Sequence, residues 1–371
     1  MRALGVIFSN SEAESLYEIT RRRTTGSIPF GGRYRLIDFA LSNMVSARIS
    51  NVAVLTQRNY QSLMDHLGSG KEWDMSRKNG GLVIFPPFSS HKSDSLYSTR
   101  LEALKSIKSY IEKQNPEIVV LSDSDGVNTV NLQEVLEKHE ENRADITITY
   151  KNMNVTNDLM HNLNLSLDSF GRVVSAKLKT PLDTSANLSI NLFVFKRSVL
   201  MGLIDDAISR GLTDLFADII FPNIASLRVF GYEYKGIYMH ISNMQNYYQN
   251  NIKLLNSEVR EQLFEQRDHG IYTKVRDSAP TKYGNNVYVE NSFIADGCEI
   301  EGQVINSVLF RGVKVGPGAV VKDSILMQDT IVGSNANLTA VITDKNVIVS
   351  DRVNLMGCEQ IPYYIGKNSR I

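Results

Sequence analysis

Short apolar runs rich in β-branched residues alternate with longer amphipathic stretches through about residue 255. The short runs predict strands, and the longer stretches, whose apolar positions lie three or four residues apart, predict helices. The predicted strands are Ala3–Phe8, Asn51–Leu55, Glu117–Ser122, Ile146–Tyr150 and Leu192–Phe195. The predicted helices include Asp38–Ala47, Tyr97–Glu112 and Leu132–Glu140. This alternation indicates an α/β, Rossmann-like domain with a mostly parallel sheet covered by helices on both faces.

A different pattern begins near Ser292, where apolar residues recur at intervals of six. One ladder contains Ile294, Ile300, Val315, Val321, Met327, Val332 and Leu338. A second ladder, four positions behind, contains Cys298, Val304, Ala319, Ile325, Ile331, Ala336, Ile342 and Ile348. Stacked coils refill the same inward positions at each turn, so the ladders predict a left-handed parallel β-helix of hexapeptide repeats. A sandwich of short strands is the alternative.

The length of 371 residues also favours two domains, because single cores seldom grow this large. We place the first domain at 1–255 and the β-helix domain at 284–371. The segment between them, 256–283, begins with a polar helical stretch and is predicted to be a linker.

Composition narrows the possible partners. Forty basic residues balance forty acidic ones, so no net charge draws the chain to nucleic acid or to an anionic membrane. The two cysteines, Cys298 and Cys358, show no disulfide or zinc spacing, which fits a reducing cytoplasm. The apolar run Met1–Phe8 is too short for a signal peptide or a membrane span.

The turn after the first strand, Ser9 to Leu16, lacks the features of a phosphate-binding loop. Such loops use glycines to bring backbone N–H groups close to phosphate. This turn has no glycine and carries the carboxylates of Glu12 and Glu14, which repel a polyanion. We therefore interpret the turn from Ser9 to Leu16 as the ordinary start of a helix.

The run from Ile28 to Asn43, Ile-Pro-Phe-Gly-Gly-Arg-Tyr-Arg-Leu-Ile-Asp-Phe-Ala-Leu-Ser-Asn, closely resembles the signature of bacterial ADP-glucose pyrophosphorylases. Catalytic members of that family carry Gly-Gly-x-Gly-x-Arg-Leu at the preceding turn, where this chain begins Ser9, Asn10, Ser11, Glu12. The family's next lysine, expected near phosphate, falls on Thr25. The resemblance therefore implies a nucleotidyltransferase fold with a degenerate nucleotide loop.

The same comparison places the family's two Mg²⁺-binding aspartates on Ser124 and His240. Nucleotidyl transfer needs Mg²⁺ held by carboxylates, and imidazole suits Mg²⁺ poorly. Asp123 and Asp125 flank Ser124 and are the alternative ligands. His240 is either a structural residue or a ligand of a transition metal. We expect no catalytic residue and no metal site in this chain.

The resemblance also suggests a residual sugar-phosphate pocket formed by Tyr97, Ser189 and Asp214. Asn191 stands where the family has a glycine, and its side chain should narrow that pocket. Thr99 and Arg100 replace the family's Gly-Thr pair, which makes the pocket still less similar to a working sugar-phosphate site.

A basic cluster, Arg21-Arg22-Arg23 with Arg33 and Arg35, stands out in this otherwise neutral chain. It is either a solvated surface run or a site for a phosphorylated effector, since guanidinium groups bind phosphate bidentately. Family resemblance assigns effector binding to Arg22, Arg23 and Arg35, between the two domains.

Together these features imply a catalytically silent or weakly active regulatory subunit of glucose-1-phosphate adenylyltransferase, in glycogen biosynthesis. That enzyme converts ATP and glucose 1-phosphate to ADP-glucose and diphosphate. The implied partner is a catalytic subunit, which would hold the Mg²⁺ in a tetramer, and this chain would require no cofactor of its own. One alternative is a working enzyme that uses Asp123 or Asp125 for Mg²⁺. Another is an acyltransferase, but the repeats lack the histidine base that such an enzyme needs.

Overall fold

The computed structural model describes residues 2–10, 16–78, 80–87, 97, 99–266 and 269–371. In the first domain the strands are β1 Ala3–Phe8, β2 Pro29–Phe30, β3 Tyr34–Arg35, β4 Val52–Leu55, β5 Leu82–Phe85, β6 Ile118–Asp123, β7 Gly126–Val127, β8 Ile146–Asn154, β9 Asn164–Leu167, β10 Val173–Lys177, β11 Ser185–Lys196, β12 Val229–Glu233 and β13 Met239–His240. The helices are α1 Tyr17–Thr20, α2 Leu36–Ser46, α3 Gln61–Leu67, α4 Arg100–Ser106, α5 Lys108–Gln114, α6 Leu132–Glu141, α7 Arg197–Arg210, α8 Phe221–Asn223, α9 Met244–Lys253 and α10 Ser257–Phe264. Short 3-10 helices span Thr25–Ser27 and Lys71–Trp73, and a π-helical segment spans Leu215–Ile220.

Nine of these strands form one sheet whose central order is β10-β9-β11-β6-β1-β4-β5. Strands β6, β1, β4 and β5 are parallel, whereas β11 runs antiparallel to β6 and carries β8 and then β12 on a branch. Separate apolar clusters pack against its two faces, which explains why β1, β4 and β6 are almost entirely buried. The predicted α/β fold is confirmed, although the sheet is mixed.

The predicted strands are all present, within a few residues at each end for most of them. The largest difference is β11, which begins at Ser185 rather than at Leu192 and extends across β8. The predicted helix Tyr97–Glu112 is two helices, α4 and α5, which meet at Ile107. Helix α4 begins after Thr99, whose hydroxyl accepts from the backbone N–H of Glu102.

The second domain consists of short strands arranged in three parallel sheets. The strands are β14 Lys282–Tyr283, β15 Tyr288–Glu290, β16 Phe293–Ile294, β17 Glu299–Ile300, β18 Gln303–Ile305, β19 Val308–Leu309, β20 Lys314–Val315, β21 Val320–Lys322, β22 Ile325–Leu326, β23 Ile331–Val332, β24 Asn337–Thr339, β25 Val341–Thr343, β26 Ile348–Val349, β27 Asn354–Met356 and β28 Tyr363–Ile365. Every third strand pairs with the next in register, giving three five-stranded sheets. The hexapeptide β-helix is confirmed, and the sandwich alternative is wrong.

Five ladder positions lie outside the β-helix core: Ile325, Met327 and Ile342 pack at the junction with the first domain, and Ile331 and Ile348 face solvent. Val332 and Val349 are buried in the β-helix core, so their strand neighbours Ile331 and Ile348 point outward and are 40% and 38% exposed. The six-residue pattern did not predict which residue points inward, because both residues are apolar in Ile331–Val332 and in Ile348–Val349.

The two domains share an apolar junction. It combines Phe30 and Phe39 of the first domain with Tyr247 of α9, and with Phe310 and Ile325 of the β-helix. The segment predicted as a linker contains α10, whose Phe264 ring stacks on Tyr34 with centroids 5.1 Å apart. The β-helix begins at Lys282 rather than at 284, because β14 already pairs with β17.

None of the helices in the described residues is both long enough and apolar enough to cross a membrane.

Candidate functional site

The first two residues of the turn after β1, Ser9 and Asn10, form hydrogen bonds within the protein. The Ser9 hydroxyl donates to the carbonyl oxygen of Leu55 at 2.8 Å, and the Asn10 side-chain oxygen accepts from the backbone N–H of Gln57 at 3.0 Å. These bonds tie the end of β1 to the end of β4. The other two predicted loop positions, Ser11 and Glu12, lie outside the described residues.

The short helix Thr25–Ser27 packs against Ser124. The backbone N–H of Gly26 donates to the carbonyl oxygen of Ser9 at 2.9 Å, and a Cβ on Gly26 would lie 2.8 Å from the Ser124 hydroxyl. The Ser124 N–H and hydroxyl both donate to the carbonyl oxygen of Phe8, at 3.1 and 2.9 Å. The structure therefore brings the Thr25 segment and Ser124 together, with the hydroxyl directed at the backbone.

Asp123, the last residue of β6, binds Arg100, the first residue of α4. The Arg100 Nε donates to one Asp123 oxygen at 3.1 Å, and a second guanidinium N–H donates to the other oxygen. Burial raises the pKa of Asp123 to about 6, even though the facing guanidinium lowers it. The guanidinium also lies 5.6 Å from the centre of the Phe216 ring. Arg100 thus covers the carboxylate that the alternative mechanism would use.

His240 lies between two further carboxylates. Its Nε2 is 3.5 Å from Asp125 Oδ2, and its Nδ1 is 3.8 Å from Asp158 Oδ2. Burial opposes the charged ring, but the two carboxylates outweigh this effect and raise the pKa of His240 to about 10. Burial likewise opposes ionisation of both carboxylates, and the facing imidazole nevertheless lowers the pKa of Asp125 and of Asp158. The group is therefore an ion cluster at neutral pH.

Backbone pairing and aromatic packing hold this cluster in place. His240 in β13 pairs with Gly126 in β7, and the N–H of Ile241 donates to the carbonyl oxygen of Asp125 at 2.9 Å. The Tyr238 ring stacks on the His240 ring, with centroids 6.3 Å apart. A Cβ on Gly126 would lie 2.8 Å from the Tyr238 ring, so glycine is needed there. The aromatic cover keeps water away and strengthens the ion pairs.

This set of donors does not fit Mg²⁺. Magnesium is held by carboxylate oxygens and water in an octahedron, whereas here Asp123 faces a guanidinium and Asp125 faces an imidazole. No group of three potential ligands in the described residues is arranged to hold a metal ion. Sequence reasoning missed Arg100 and Asp158. The first could have been found as a cation in place of the family's small polar residue, whereas no sequence signal identifies the second.

The three predicted sugar-phosphate residues are engaged within the protein. The Tyr97 hydroxyl donates to the carbonyl oxygen of Thr56, and the Ser189 hydroxyl accepts from the N–H of Asn191 at 3.1 Å. Asn191 has a φ of 57°, in the left-handed region, where β11 shifts register against β8. An Asp214 oxygen accepts from two N–H groups at the start of the π-helical segment, each at 2.7 Å. Each polar group thus has a structural use.

A separate cavity of about 370 Å³ lies between the two domains. Arg22 and Arg35, two of the three residues predicted to bind an effector, line this cavity. The other basic residues along its wall include Arg33, Arg276, Lys345 and Lys367. Asp65 and Asp329 are the acidic residues among the described residues of the lining. The cavity is therefore strongly cationic in a chain with no net charge.

The charges in this cavity repel one another. Burial, followed by the nearby Arg35 and Arg23, lowers the pKa of Lys345 to about 6. Burial also lowers the pKa of Arg35 to about 10, and one of its N–H groups donates to the Ser62 hydroxyl at 3.0 Å. In the described part of the chain no carboxylate forms an ion pair with Arg22, Arg35 or Lys345. A bound anion would relieve this repulsion.

Arg23 has a different role from the one predicted. Its guanidinium is buried and binds both oxygens of Asp344 in the β-helix, at 2.6 and 2.9 Å. The Tyr364 hydroxyl donates to the same carboxylate at 3.0 Å. Arg23 does not line the cavity, because its side chain turns to the domain junction while Arg22 turns to the cavity.

The nucleotidyl transferase family profile matches residues 4–257, and the GlmU-like C-terminal hexapeptide profile matches residues 278–360. The chain therefore belongs to the nucleotidyl transferase family, with the sheet domain as its transferase-type fold and a hexapeptide β-helix attached.

More specific similarity points to glycogen biosynthesis. The chain is 34% identical over 365 residues to the glycogen biosynthesis protein GlgD of Bacillus subtilis, covering 98% of this chain and 95% of that protein. It is 36% identical over 325 residues to the GlgD of Geobacillus stearothermophilus, covering 86% and 83%. It is also 31% identical over 326 residues to the glucose-1-phosphate adenylyltransferase of Clostridium botulinum strain Eklund 17B, covering 87% and 84%. The predicted relation to ADP-glucose pyrophosphorylases is confirmed.

Proposed function

We propose that this chain is a regulatory subunit of glucose-1-phosphate adenylyltransferase, with little or no catalytic activity of its own. The observation that carries the proposal is the pairing of the pocket's carboxylates with cationic side chains. Asp123 faces Arg100, and His240 lies between Asp125 and Asp158. In the described part of this pocket, the two candidate metal ligands, Asp123 and Asp125, each face a cationic side chain, which opposes the Mg²⁺ binding that nucleotidyl transfer requires.

The partner in this proposal is a catalytic subunit of the same family. The two chains would form a hetero-oligomer, a tetramer in its simplest form, because related chains with one fold commonly assemble through equivalent surfaces. Mg²⁺ would be held by the catalytic partner, and this chain would need no cofactor. Its similarity to two GlgD proteins and to an adenylyltransferase supports a place in the same pathway step.

Effector binding is the second part of the proposal. The cavity between the domains would take a phosphorylated small molecule, with Arg22 and Arg35 as direct contacts. Its position favours regulation, because a ligand there contacts both domains. Arg23 would support the site indirectly, through the junction it forms with Asp344.

The test measures ADP-glucose formation by this chain, by the catalytic subunit and by their mixture, with ATP, glucose 1-phosphate and Mg²⁺. We expect the mixture to differ from the sum of its parts in rate or in its effector curve, and the subunits to elute together on size exclusion. If mixing changes neither rate nor effector response, the regulatory role is wrong. If the chain alone turns over like a typical enzyme, the proposal of a catalytically silent subunit is wrong and the working-enzyme alternative replaces it.

A further inference from the structure

Three carboxylates meet in the pocket that a nucleotidyltransferase would use for its metal. Asp123 ends β6, Asp125 directly precedes β7, and Asp158 lies in the connection between β8 and β9. The side chains of Asp123, Asp125 and Asp158 are 8%, 6% and 11% exposed. Buried carboxylates without a cation nearby are costly, so this arrangement needs positive charge.

Two side chains supply that charge. Arg100 binds both oxygens of Asp123, and His240 directs one ring nitrogen to Asp125 and the other to Asp158. The His240 ring thus lies between two carboxylates, as a bound cation would. Its Nδ1 makes no hydrogen bond with any described residue, so charge rather than hydrogen bonding joins it to Asp158.

Arg100 and His240 occupy positions where the related family has no cationic side chain. Arg100 and His240 both stand where the resemblance places uncharged or acidic residues, and they arrive at the same pocket from helix α4 and strand β13. Simple decay of an unused site would remove carboxylates without adding partners for those that remain. Here each of the three carboxylates among the described residues, Asp123, Asp125 and Asp158, faces a cation.

We propose that His240 and Arg100 take the electrostatic place of the divalent cation, so that this pocket holds its carboxylates together without binding metal. The proposal rests on the proposed function, because both require a pocket that does not perform Mg²⁺-dependent transfer. It adds that the pocket is a self-neutralised structural element, whose stability depends on these two side chains.

The experiment measures Mn²⁺ binding to the purified full-length chain by electron paramagnetic resonance, and its thermal unfolding with and without Mn²⁺. We expect no saturable Mn²⁺ binding and no shift in Tm for the natural sequence. His240→Asp removes the cation and adds an oxygen ligand between Asp125 and Asp158. This variant should bind Mn²⁺ and gain about 5 °C in Tm at saturating metal.

The matched control is His269→Asp. His269 is also buried, but its Nε2–H donates to the backbone carbonyl oxygen of Val130 and it faces no carboxylate among the described residues; burial accounts for its lowered pKa. This control should lose stability without any rescue by Mn²⁺. Rescue of both variants to the same extent would overturn the proposal.

A second pair of variants covers the case in which His240→Asp does not fold. His240→Gln leaves Asp125 and Asp158 without a cation, so it should lower Tm at pH 7 more than His269→Gln does. Equal losses would contradict the proposal, as would Mn²⁺ binding by the natural sequence that Asp125→Asn abolishes. Metal binding by the natural chain would overturn the proposal of a metal-free pocket. The regulatory role would still hold if the mixing assay shows an effect, so the failure of one proposal can be distinguished from the failure of the other.

Discussion

Arg23 of the first domain binds Asp344 of the β-helix through both carboxylate oxygens, at 2.6 and 2.9 Å, and both side chains are almost fully buried. The residues beside them, Arg22 and Lys345, line the cationic cavity. Arg23 and Asp344 therefore differ in role from their sequence neighbours Arg22 and Lys345. Arg23 and Asp344 join the two domains, whereas Arg22 and Lys345 form part of the wall of the cavity beside that domain junction.

Removing one partner of this ion pair should be strongly destabilising. Arg23→Ala leaves a buried carboxylate without its cation, and such changes cost about 3–5 kcal/mol. Urea unfolding should show this loss in the free energy of unfolding. Arg210→Ala, which breaks the exposed Arg210–Asp206 pair, is the control and should cost less than about 1 kcal/mol. Equal losses would mean that Arg23 does not hold the domains together.

The outward orientation of Ile331 predicts an uneven response along the β-helix. Leu338→Ala should cost about 2–5 kcal/mol because Leu338 is fully buried in the β-helix core. Ile331→Ala, at a position that is 40% exposed, should cost less than about 1 kcal/mol. Thermal unfolding of the two variants checks the assignment of inward and outward positions. A larger loss for Ile331→Ala would contradict it.

The fold could be predicted from sequence because its signals are local and repeated. The β-branched runs at Ala3–Phe8 and Ile146–Tyr150 and the ladders after Ser292 need no knowledge of distant contacts. The division of Tyr97–Glu112 into two helices was missed because each half is amphipathic, and only the packing shows the break at Ile107. Likewise, alternation within Ile331–Val332 is hidden where both neighbours are apolar.

The sequence predicted which residues stand at the site, but it did not predict which side chains they contact. The replacement of expected ligands by Ser124 and His240 is visible in the sequence, whereas their partners are distant along the chain. Asp158 reaches His240 from a loop with no recognisable pattern, and Arg23 and Arg22 diverge although they are adjacent. Which of two neighbouring arginines meets the cavity depends on the domain junction, which the sequence pattern does not describe.

The ion cluster around His240 should make stability depend on pH on the alkaline side. The pKa of His240 is raised to about 10 in the folded chain, against an ordinary value of 6.5. Its contribution is therefore fully present below pH about 6.5 and is lost as the pH rises toward 10. The Tm of the natural chain should fall between pH 7 and 10 more steeply than that of His240→Asn. Parallel curves for the two proteins would count against a charged ring.

Anion binding in the cavity should take up a proton. The pKa of Lys345 is lowered to about 6, so its amine is mostly neutral above pH 7 until an anion favours the charged form. Titration with inorganic pyrophosphate in buffers of different ionisation enthalpy should show net proton uptake at pH 7.5, and weaker affinity at higher pH. Lys345→Met should abolish the uptake. Binding without proton uptake would mean that Lys345 does not face the anion.

Effector contacts can be separated from the domain junction by substitution. Arg22→Ala and Arg35→Ala should each shift the effector response of the mixed enzyme by about tenfold or more, as expected for loss of a charge-assisted hydrogen bond. The control, Arg210→Ala, is exposed and lies on α7, outside the cavity lining. An unchanged response in both cavity variants would rule out this cavity as the effector site.

The most direct test of the degenerate pocket is the turnover of the purified chain alone. ADP-glucose formation is measured with saturating ATP, glucose 1-phosphate and Mg²⁺, and repeated with Mn²⁺. We expect a rate far below the roughly 1–1000 per second of typical enzymes, with no gain from either metal. Turnover within that range would contradict the central claim that paired carboxylates at Asp123 and Asp125 leave this pocket without metal-dependent catalysis.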